Sequence, residues 1–290
     1  MHDIYFSYAM LMIGAACFGL YGMRLVVLGR VRHRRADQDG GSLFVGKRFM
    51  EVGYWLMEPI VSALYRARVT PNMVTAFSLV PGLLAGVAAS QGWFGLACML
   101  STTTALCDII DGLLARRRGA GSDAGEVFDA ATDRYTELAF IGGLVVYYRF
   151  SGPLCALAVA ALGGAFMVSY CTAKAESLGI PPPRGSMRRA ERAIYLMFAS
   201  GFTPAVGALV GADAPLIVQQ SPILLATALV AVVANVSTVR RTAAIMRALR
   251  ARDAQRAAAA AAGAAGAAAV DSGPGPHRNS GEVASAEPRA

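Results

Sequence analysis

The chain alternates long apolar blocks with short polar joints, and nowhere sustains the two-residue alternation of a half-buried strand. The first block, about Tyr5 to Leu28, is long enough to span a bilayer. It lacks a basic start and a small-residue cleavage site, so it reads as a retained helix and not as a signal peptide. A polar, basic loop, Gly29 to Ser42, follows. From about Arg48 to Arg68, aromatic and aliphatic residues interleave with charge, which predicts an amphipathic helix lying along the cytosolic membrane surface. Six further spans are predicted at about Pro71 to Ser90, Trp93 to Arg116, Val127 to Tyr148, Pro153 to Ala175, Ala193 to Gly211 and Pro222 to Val239.

Basic residues test this threading, because Lys and Arg collect on the cytosolic side of membrane proteins. Of the expected outer loops only the one near Arg149 carries a basic residue, while "ARRR", "RGSMRRAER" and "VRR" fall together on the other side. The N-terminus is therefore placed outside and the C-terminus inside. The expected protein is an all-α, multi-pass integral protein of the inner (cytoplasmic) membrane. An extra N-terminal transmembrane helix and basic loop (1–47) precede the juxtamembrane helix and six spans (48–250). In the tail (251–290) an alanine run extends the last helix, and a disordered Gly/Pro/Ser-rich end follows; neither part is given a catalytic role.

Composition agrees: of 290 residues, 55% are hydrophobic and 16% charged. The net charge of +8 lies in clusters between apolar blocks, which accounts for it without nucleic acid. The cysteines, Cys17, Cys98, Cys107, Cys155 and Cys171, lie in or beside apolar segments without metal spacing, and read as packing residues.

One stretch breaks the apolar pattern. "CDIIDGLLARRRGAGSDAGEVFDAATD", Cys107 to Asp133, places aspartates where hydrocarbon is expected. Asp108, Asp111, Gly112 and Ala115 share one face of one helix; Gly125, Asp129 and Asp133 share one face of the next. A tight turn joins the helices, so the two carboxylate pairs can face each other. From Trp93 to Asp108 is 15 residues, roughly 22 Å of helix, and from Tyr147 back to Asp133 is 14, about 21 Å. Both pairs thus reach one level, in the cytosolic third of the membrane. Each ionised aspartate costs about 2.5–3.5 kcal/mol at a helix centre. One or two divalent cations among the carboxylates would offset this, and oxygen-only ligands suit Mg²⁺ or Mn²⁺. Salt bridges to Arg116, Arg117, Arg118 and Arg134 are the plainer alternative. They leave unexplained the glycine and alanine on the same faces, where a small side chain lets something large approach the backbone.

The spacing D-x2-D-G-x2-A-R-x8-G-x3-D-x3-D, satisfied at Asp108, Asp111, Gly112, Ala115, Arg116, Gly125, Asp129 and Asp133, resembles the signature of the CDP-alcohol phosphotransferase (phosphatidyltransferase) family of membrane enzymes of phospholipid synthesis. The resemblance covers roughly Trp55 to Arg247. It implies a six-helix catalytic unit, usually a homodimer, with a cavity open to the cytosol and a CDP-linked lipid such as CDP-diacylglycerol entering from the surrounding membrane lipids. Asp108, Asp111 and Asp129 would be metal ligands. Asp133 would ligate metal, act as general base on the acceptor hydroxyl, or do both. The histidines His2, His33 and His277 all lie outside the spans, which leaves a carboxylate for the base. Gly112, Ala115 and Gly125 would make room for the nucleotide, with Arg116 near its phosphates. "VTPNMVT", Val69 to Thr75, is similar to the stretch that opens this helix near the nucleotide in relatives, which would make Asn72 and Thr75 substrate-binding; Thr70 and Asn72 around Pro71 are otherwise helix-start chemistry.

Arg188, Arg189, Arg192, Arg240 and Arg241 add positive charge near the cytosolic mouth. They suit a sugar phosphate or polyol phosphate, or serve only as positive-inside anchors. "SYCTAKAESLGI" with "RRAER" is similar to the region of phosphatidylinositol-phosphate synthases that helps hold inositol phosphate. Those enzymes commonly read "SYxKARAE", and Thr172 stands here at the lysine position with Lys174 two residues later. Inositol phosphate, glycerol phosphate and an unphosphorylated alcohol all stay open as acceptors. Two other readings fit acidic intramembrane residues: an intramembrane prenyltransferase holding Mg-diphosphate, and an ion transporter. Prenyltransferase motifs normally lie on widely separated helices, and a transport path gives no reason for fixed glycines.

Overall fold

The computed structural model describes residues 3–28, 47–119, 122–181 and 185–271. The basic loop after the first helix, the histidines His2, His33 and His277, and the Gly/Pro/Ser-rich end lie outside the described residues. The helices are α1 (Asp3–Leu28), α2 (Lys47–Arg66), α3 (Pro71–Ser90), α4 (Phe94–Arg118), α5 (Asp123–Tyr147), α6 (Gly152–Ser177), α7 (Arg189–Val210), the short α8 (Leu216–Gln219) and α9 (Ser221–Asp271). No strand occurs among the described residues.

Local chemistry sets the boundaries around the aspartates. Thr70 Oγ1 accepts the Met73 N–H at 3.3 Å, with Pro71 in the first turn of α3 where a missing N–H costs nothing. Gly119, at φ 61°, ends α4 in the left-handed conformation that glycine adopts without strain. Ser122 Oγ accepts the Gly125 N–H at 3.1 Å and starts α5. Only residues 119–122 therefore separate the two aspartate-bearing helices.

α3 is the central packing element, in contact with both α4 and α5; α4 also touches α1, α2 and α7, and α5 touches α6. Small residues bring α3 and α5 together. A Cβ on Gly86 would lie 2.3 Å from the Ala139 carbonyl oxygen, and one on Gly143 would lie 2.2 Å from the Gly86 carbonyl oxygen. Gly82 meets Thr136 in the same way, so Gly82 and Gly86 form a G-x-x-x-G face of the kind that packs helices in bilayers. α9 joins α6 through Asn235 Nδ2, which donates to the Ala160 carbonyl at 2.9 Å.

The main apolar core extends through the bundle and reaches Met187, next to the start of α7. It includes Ala85, Ala89, Phe94, Ala97, Phe140, Ile141, Leu144, Ala158, Ala165, Ile223 and Val230. A second cluster, Met57, Val61, Val74, Cys107, Ile110 and Leu114, seats α2 on α3 and α4 beside the aspartates. On α2, Met57 and Val61 are buried while Glu58 and Arg66 are exposed, an amphipathic arrangement, although Ile60 and Tyr65 are exposed too. Elsewhere Phe77, Val80, Leu84, Val87, Leu225, Val232 and Val236 point outward, an apolar surface suited to hydrocarbon.

Five described helices are long and apolar enough to cross a membrane: α3, α4, α6, α7 and the Ser221–Ala262 part of α9. α5 is as long, but Asp123, Glu126, Asp129, Asp133, Arg134 and Glu137 put it outside that class, and α1 contributes an apolar stretch over Asp3–Ala16. The expected count of seven is thus met in part. The shortfall at α5 comes from the same carboxylates that drew attention to it. Cys98, Cys107 and Cys171 are buried free thiols, as packing residues should be.

Two compact units divide the chain, Met1–Thr242 and Ala243–Ala290. Helix continues through the alanine run to Asp271, as alanine's propensity leads one to expect.

Candidate active site

The start of α4 and the end of α5 meet. Phe94, next to Trp93, packs edge-on against Tyr147 with ring centroids 5.2 Å apart, so the start of α4 and the end of α5 share one level. Fifteen and fourteen residues further in, Asp108 and Asp133 also meet on a common partner. Arg189, the first residue of α7, reaches Asp108 Oδ2 with Nη1 at 2.7 Å and Asp133 Oδ1 with Nη2 at 2.6 Å. Asp108 and Asp133 form their ion pairs with this arginine. Arg117 pairs instead with Glu58 of α2 at 2.9 Å and donates to Ser62 at 2.7 Å, and both Arg117 and Arg118 stack over Tyr65.

Asp111 faces α3. It is 7% exposed, and its Oδ2 accepts the Thr75 hydroxyl at 2.7 Å. In "VTPNMVT", Thr70 supplies the helix-start chemistry, and Thr75 turns to Asp111. Asp129 is half-buried on the α5 face.

Gly112 and Gly125 differ from the packing glycines. A Cβ on Gly112 would meet only the Arg116 guanidinium, 3.3 Å away, and one on Gly125 would meet Ser122 Oγ at 3.1 Å and Asn72 Oδ1 at 3.4 Å. No neighbouring backbone fills either space, so these two glycines leave room beside the aspartates and are not needed for helix contact. Arg116 and Asn72 are exposed and Ala115 is half-buried.

Arg192, one turn beyond Arg189, was expected at the mouth. It is fully enclosed instead. Nε and Nη2 make a fork onto Glu137 at 2.7 and 2.8 Å, Nη1 donates to the Met187 carbonyl at 2.5 Å, and Ser169 Oγ lies 3.5 Å from Nη2. Glu191 Oε2 accepts the N–H groups of Met187 at 2.7 Å and Arg188 at 3.3 Å. These contacts over-determine the turn before α7, which explains how Met187 holds a φ of 63°, a conformation costly for a side-chain-bearing residue. Their effect is to fix where Arg189 starts. Glu137 was missed in the sequence, although it continues the four-residue series Gly125, Asp129, Asp133.

Arg241 is buried, donating to Thr172 Oγ1 at 2.8 Å and to Ser237 Oγ at 3.2 Å; Lys174 and Arg240 are exposed. As placed, no three His, Cys, Asp or Glu side chains among the described residues are close enough to share an ion. The donor chemistry nevertheless fits a hard divalent cation, being all carboxylate and hydroxyl oxygen. Asp133 Oδ1 is moreover buried without an aligned hydrogen bond, although Arg189 Nη2 is 2.6 Å away.

A family model described as CDP-alcohol phosphatidyltransferase matches residues 68–233, more than half of the chain and including the four aspartates, Thr75 and Arg189. The chain belongs to this family. As a CDP-alcohol phosphotransferase it has curated relatives of the same class. Phosphatidylinositol phosphate synthase of Cutibacterium acnes is 36% identical over 154 residues, covering 51% of this chain and 73% of that one. Among solved structures, the phosphatidylinositol phosphate synthase of Mycobacterium tuberculosis in complex with manganese and citrate matches with a TM-score of 0.57 at 26% identity, over 65% of this chain and 88% of that one. The same protein with CDP-DAG bound matches with a TM-score of 0.56, also at 26% identity, over 64% and 92%.

Proposed function

We propose that this CDP-alcohol phosphotransferase moves the phosphatidyl group of CDP-diacylglycerol to the hydroxyl of a polyol phosphate, inositol phosphate first among them, and releases CMP. The observation that carries the reading is the meeting of Asp108 and Asp133, from successive helices, on one guanidinium at 2.7 and 2.6 Å. Carboxylates brought together at such a depth need cationic partners. A substrate diphosphate joined to divalent ions meets that need.

In this reading Asp108, Asp111, Asp129 and Asp133 would hold Mg²⁺ or Mn²⁺, two ions in all. Such ions bind diphosphate oxygens and offset the charge of the transferring phosphoryl group. Thr75 fixes the Asp111 carboxylate by donating to it. Gly112, Ala115 and Gly125 leave room for the nucleotide, with Arg116 and Asn72 beside it. Asp133 takes the proton of the acceptor hydroxyl. The acceptor oxygen then bonds to the β-phosphorus, and the bond from that phosphorus to the bridging oxygen breaks, its electron pair leaving with CMP.

The names of the relatives support an inositol phosphate acceptor. So does Arg241, whose guanidinium lies 2.8 Å from Thr172 Oγ1, at the position where phosphatidylinositol-phosphate synthases commonly carry a lysine charge. Lys174 and Arg240, both exposed, are the further cations offered to the acceptor phosphate. The clustering of basic residues at the aspartate end supports a cytosol-facing site in the inner membrane. A homodimer is the assembly that the family resemblance implies.

The test supplies purified protein with CDP-diacylglycerol, Mg²⁺ or Mn²⁺ and, separately, inositol phosphate, glycerol phosphate and inositol, and measures CMP. CMP release that depends on inositol phosphate is expected, and Asp108→Asn or Asp129→Asn should abolish it in folded protein. Release with glycerol phosphate alone overturns the acceptor assignment; wild-type rates in either variant overturn the roles given to the aspartates.

A further inference from the structure

We propose that Arg189 is an internal counter-ion of the carboxylate cluster. In the metal-free protein its guanidinium holds Asp108 and Asp133 together, and it gives way when a divalent cation takes its place. This inference rests on the metal-binding role proposed above for the aspartates.

Three observations carry it. First, one guanidinium spans carboxylates from two helices, Nη1 to Asp108 and Nη2 to Asp133, and so stands where a cation shared by α4 and α5 has to sit. Second, the carboxylates with Arg189 among them are spread too widely for three of them to share an ion. An ion that recruits them must draw them inward, and the guanidinium lies in the way. Third, the fit is imperfect at Asp133, whose Oδ1 is buried without an aligned donor. A ligand with no directional requirement, such as a metal ion, satisfies that oxygen better than the fixed fork of an arginine.

The surroundings allow the exchange. Arg192 and Glu191 fix the start of α7, while the Arg189 side chain is 26% exposed and lies on a helix end. Its guanidinium can therefore swing outward without disturbing the turn. Charge favours the exchange too: one guanidinium offsets a single negative charge among four aspartates, and a divalent ion offsets two. What Arg189 gives the metal-free protein is relief from the repulsion that Asp108 and Asp133 would otherwise meet in a poorly hydrated site.

The experiment titrates Mn²⁺ into detergent-purified full-length protein, followed by calorimetry and by loss of the free-ion electron paramagnetic resonance signal, with thermal unfolding recorded with and without Mn²⁺. Wild type, Arg189→Gln, Arg189→Lys and Asp108→Asn are compared. Removing two partly exposed ion-pair contacts that the metal must otherwise break should tighten Mn²⁺ binding by about tenfold in Arg189→Gln. The same variant should melt below wild type without metal and gain more from Mn²⁺ than wild type does. Arg189→Lys, with one charge but no fork, should bind with intermediate affinity, and it supplies the comparison if the glutamine variant does not fold. Asp108→Asn should lose the binding. Equal or weaker Mn²⁺ affinity in the Arg189 variants, with wild-type binding intact, overturns the counter-ion role alone. No saturable binding in wild type or Arg189→Gln overturns the metal-binding reading and this inference with it.

Discussion

Asp3 caps Gly95: its Oδ2 accepts the Gly95 N–H at 3.0 Å, and its Oδ1 accepts the neighbouring Leu96 N–H, also at 3.0 Å. These are first-turn donors of α4, which have no partner inside their own helix. The contact is close enough that a Cβ on Gly95 would lie 2.2 Å from the Asp3 carbonyl oxygen. α1 lies outside the family match at 68–233, yet it ties down the helix that carries Asp108 and Asp111. Asp3→Ala should therefore cost about 1 kcal/mol, the usual worth of a helix cap, and lower the unfolding temperature in detergent by a few degrees. Asp3→Asn, which keeps one acceptor oxygen, should fall in between.

The α3–α5 contact makes a sharper prediction. At Gly86 the neighbour is the Ala139 backbone, which has nowhere to go, whereas Gly142 has open space around its α-carbon. Gly86→Ala should separate the helices and markedly reduce the yield of folded protein, read by size-exclusion chromatography and thermal melting. Gly142→Ala should leave both unchanged. Equal tolerance of the two substitutions would mean that close packing of α3 on α5 is not what holds the bundle together.

How far the sequence revealed this arrangement depends on which interaction is asked about. Helix positions followed from apolar runs and, at the start of α3, from Thr70 and Pro71, whereas α5 begins at Asp123 and not at the expected Val127, because Ser122 caps it before the apolar run begins. The convergence of α4 and α5 was also legible, since equal residue counts from Trp93 and Tyr147 fix equal depths. Partner choice was not. Nothing near Arg189 or Arg192 in the chain says that one would reach the aspartates and the other Glu137, because both pairings join residues more than fifty positions apart. The clue that existed was periodic: Glu137 follows Asp133 by four residues as Arg192 follows Arg189 by three, so two rungs of opposite charge stack along α5 and α7. The G-x-x-x-G face at Gly82 and Gly86 was likewise present in the sequence, as a spacing that no neighbouring charge marks out.

Thr75 tests the support of the acidic cluster. Its hydroxyl is the side-chain donor to the buried Asp111 carboxylate, 2.7 Å away. Thr75→Val keeps the shape and removes the donor, leaving a buried acceptor unsatisfied at a cost of about 1–3 kcal/mol. CMP release should fall and Mn²⁺ binding should weaken, while Thr75→Ser, which keeps the hydroxyl, should restore most of both. A Thr75→Val enzyme with wild-type metal affinity would show that Asp111 needs no help in facing the site.

The pair Arg192 and Glu137 separates structural from catalytic charge. Both side chains are almost completely enclosed, so removing one leaves the other charged and without its partner. Glu137→Gln and Arg192→Met should each destabilise by about 3–5 kcal/mol. The double variant Glu137→Leu with Arg192→Met removes both charges and should recover much of that loss. Stability is then the first readout, by thermal unfolding in detergent. CMP release is the second, because Arg192 also holds the Met187 carbonyl and with it the turn from which Arg189 departs. The double variant should fold yet work more slowly than wild type, because the turn that leads into α7 beside the aspartates is no longer fixed by Arg192. A double variant as unstable as the single ones would show that the pair is needed for itself, and a fully active one would show that the turn keeps its shape without Arg192.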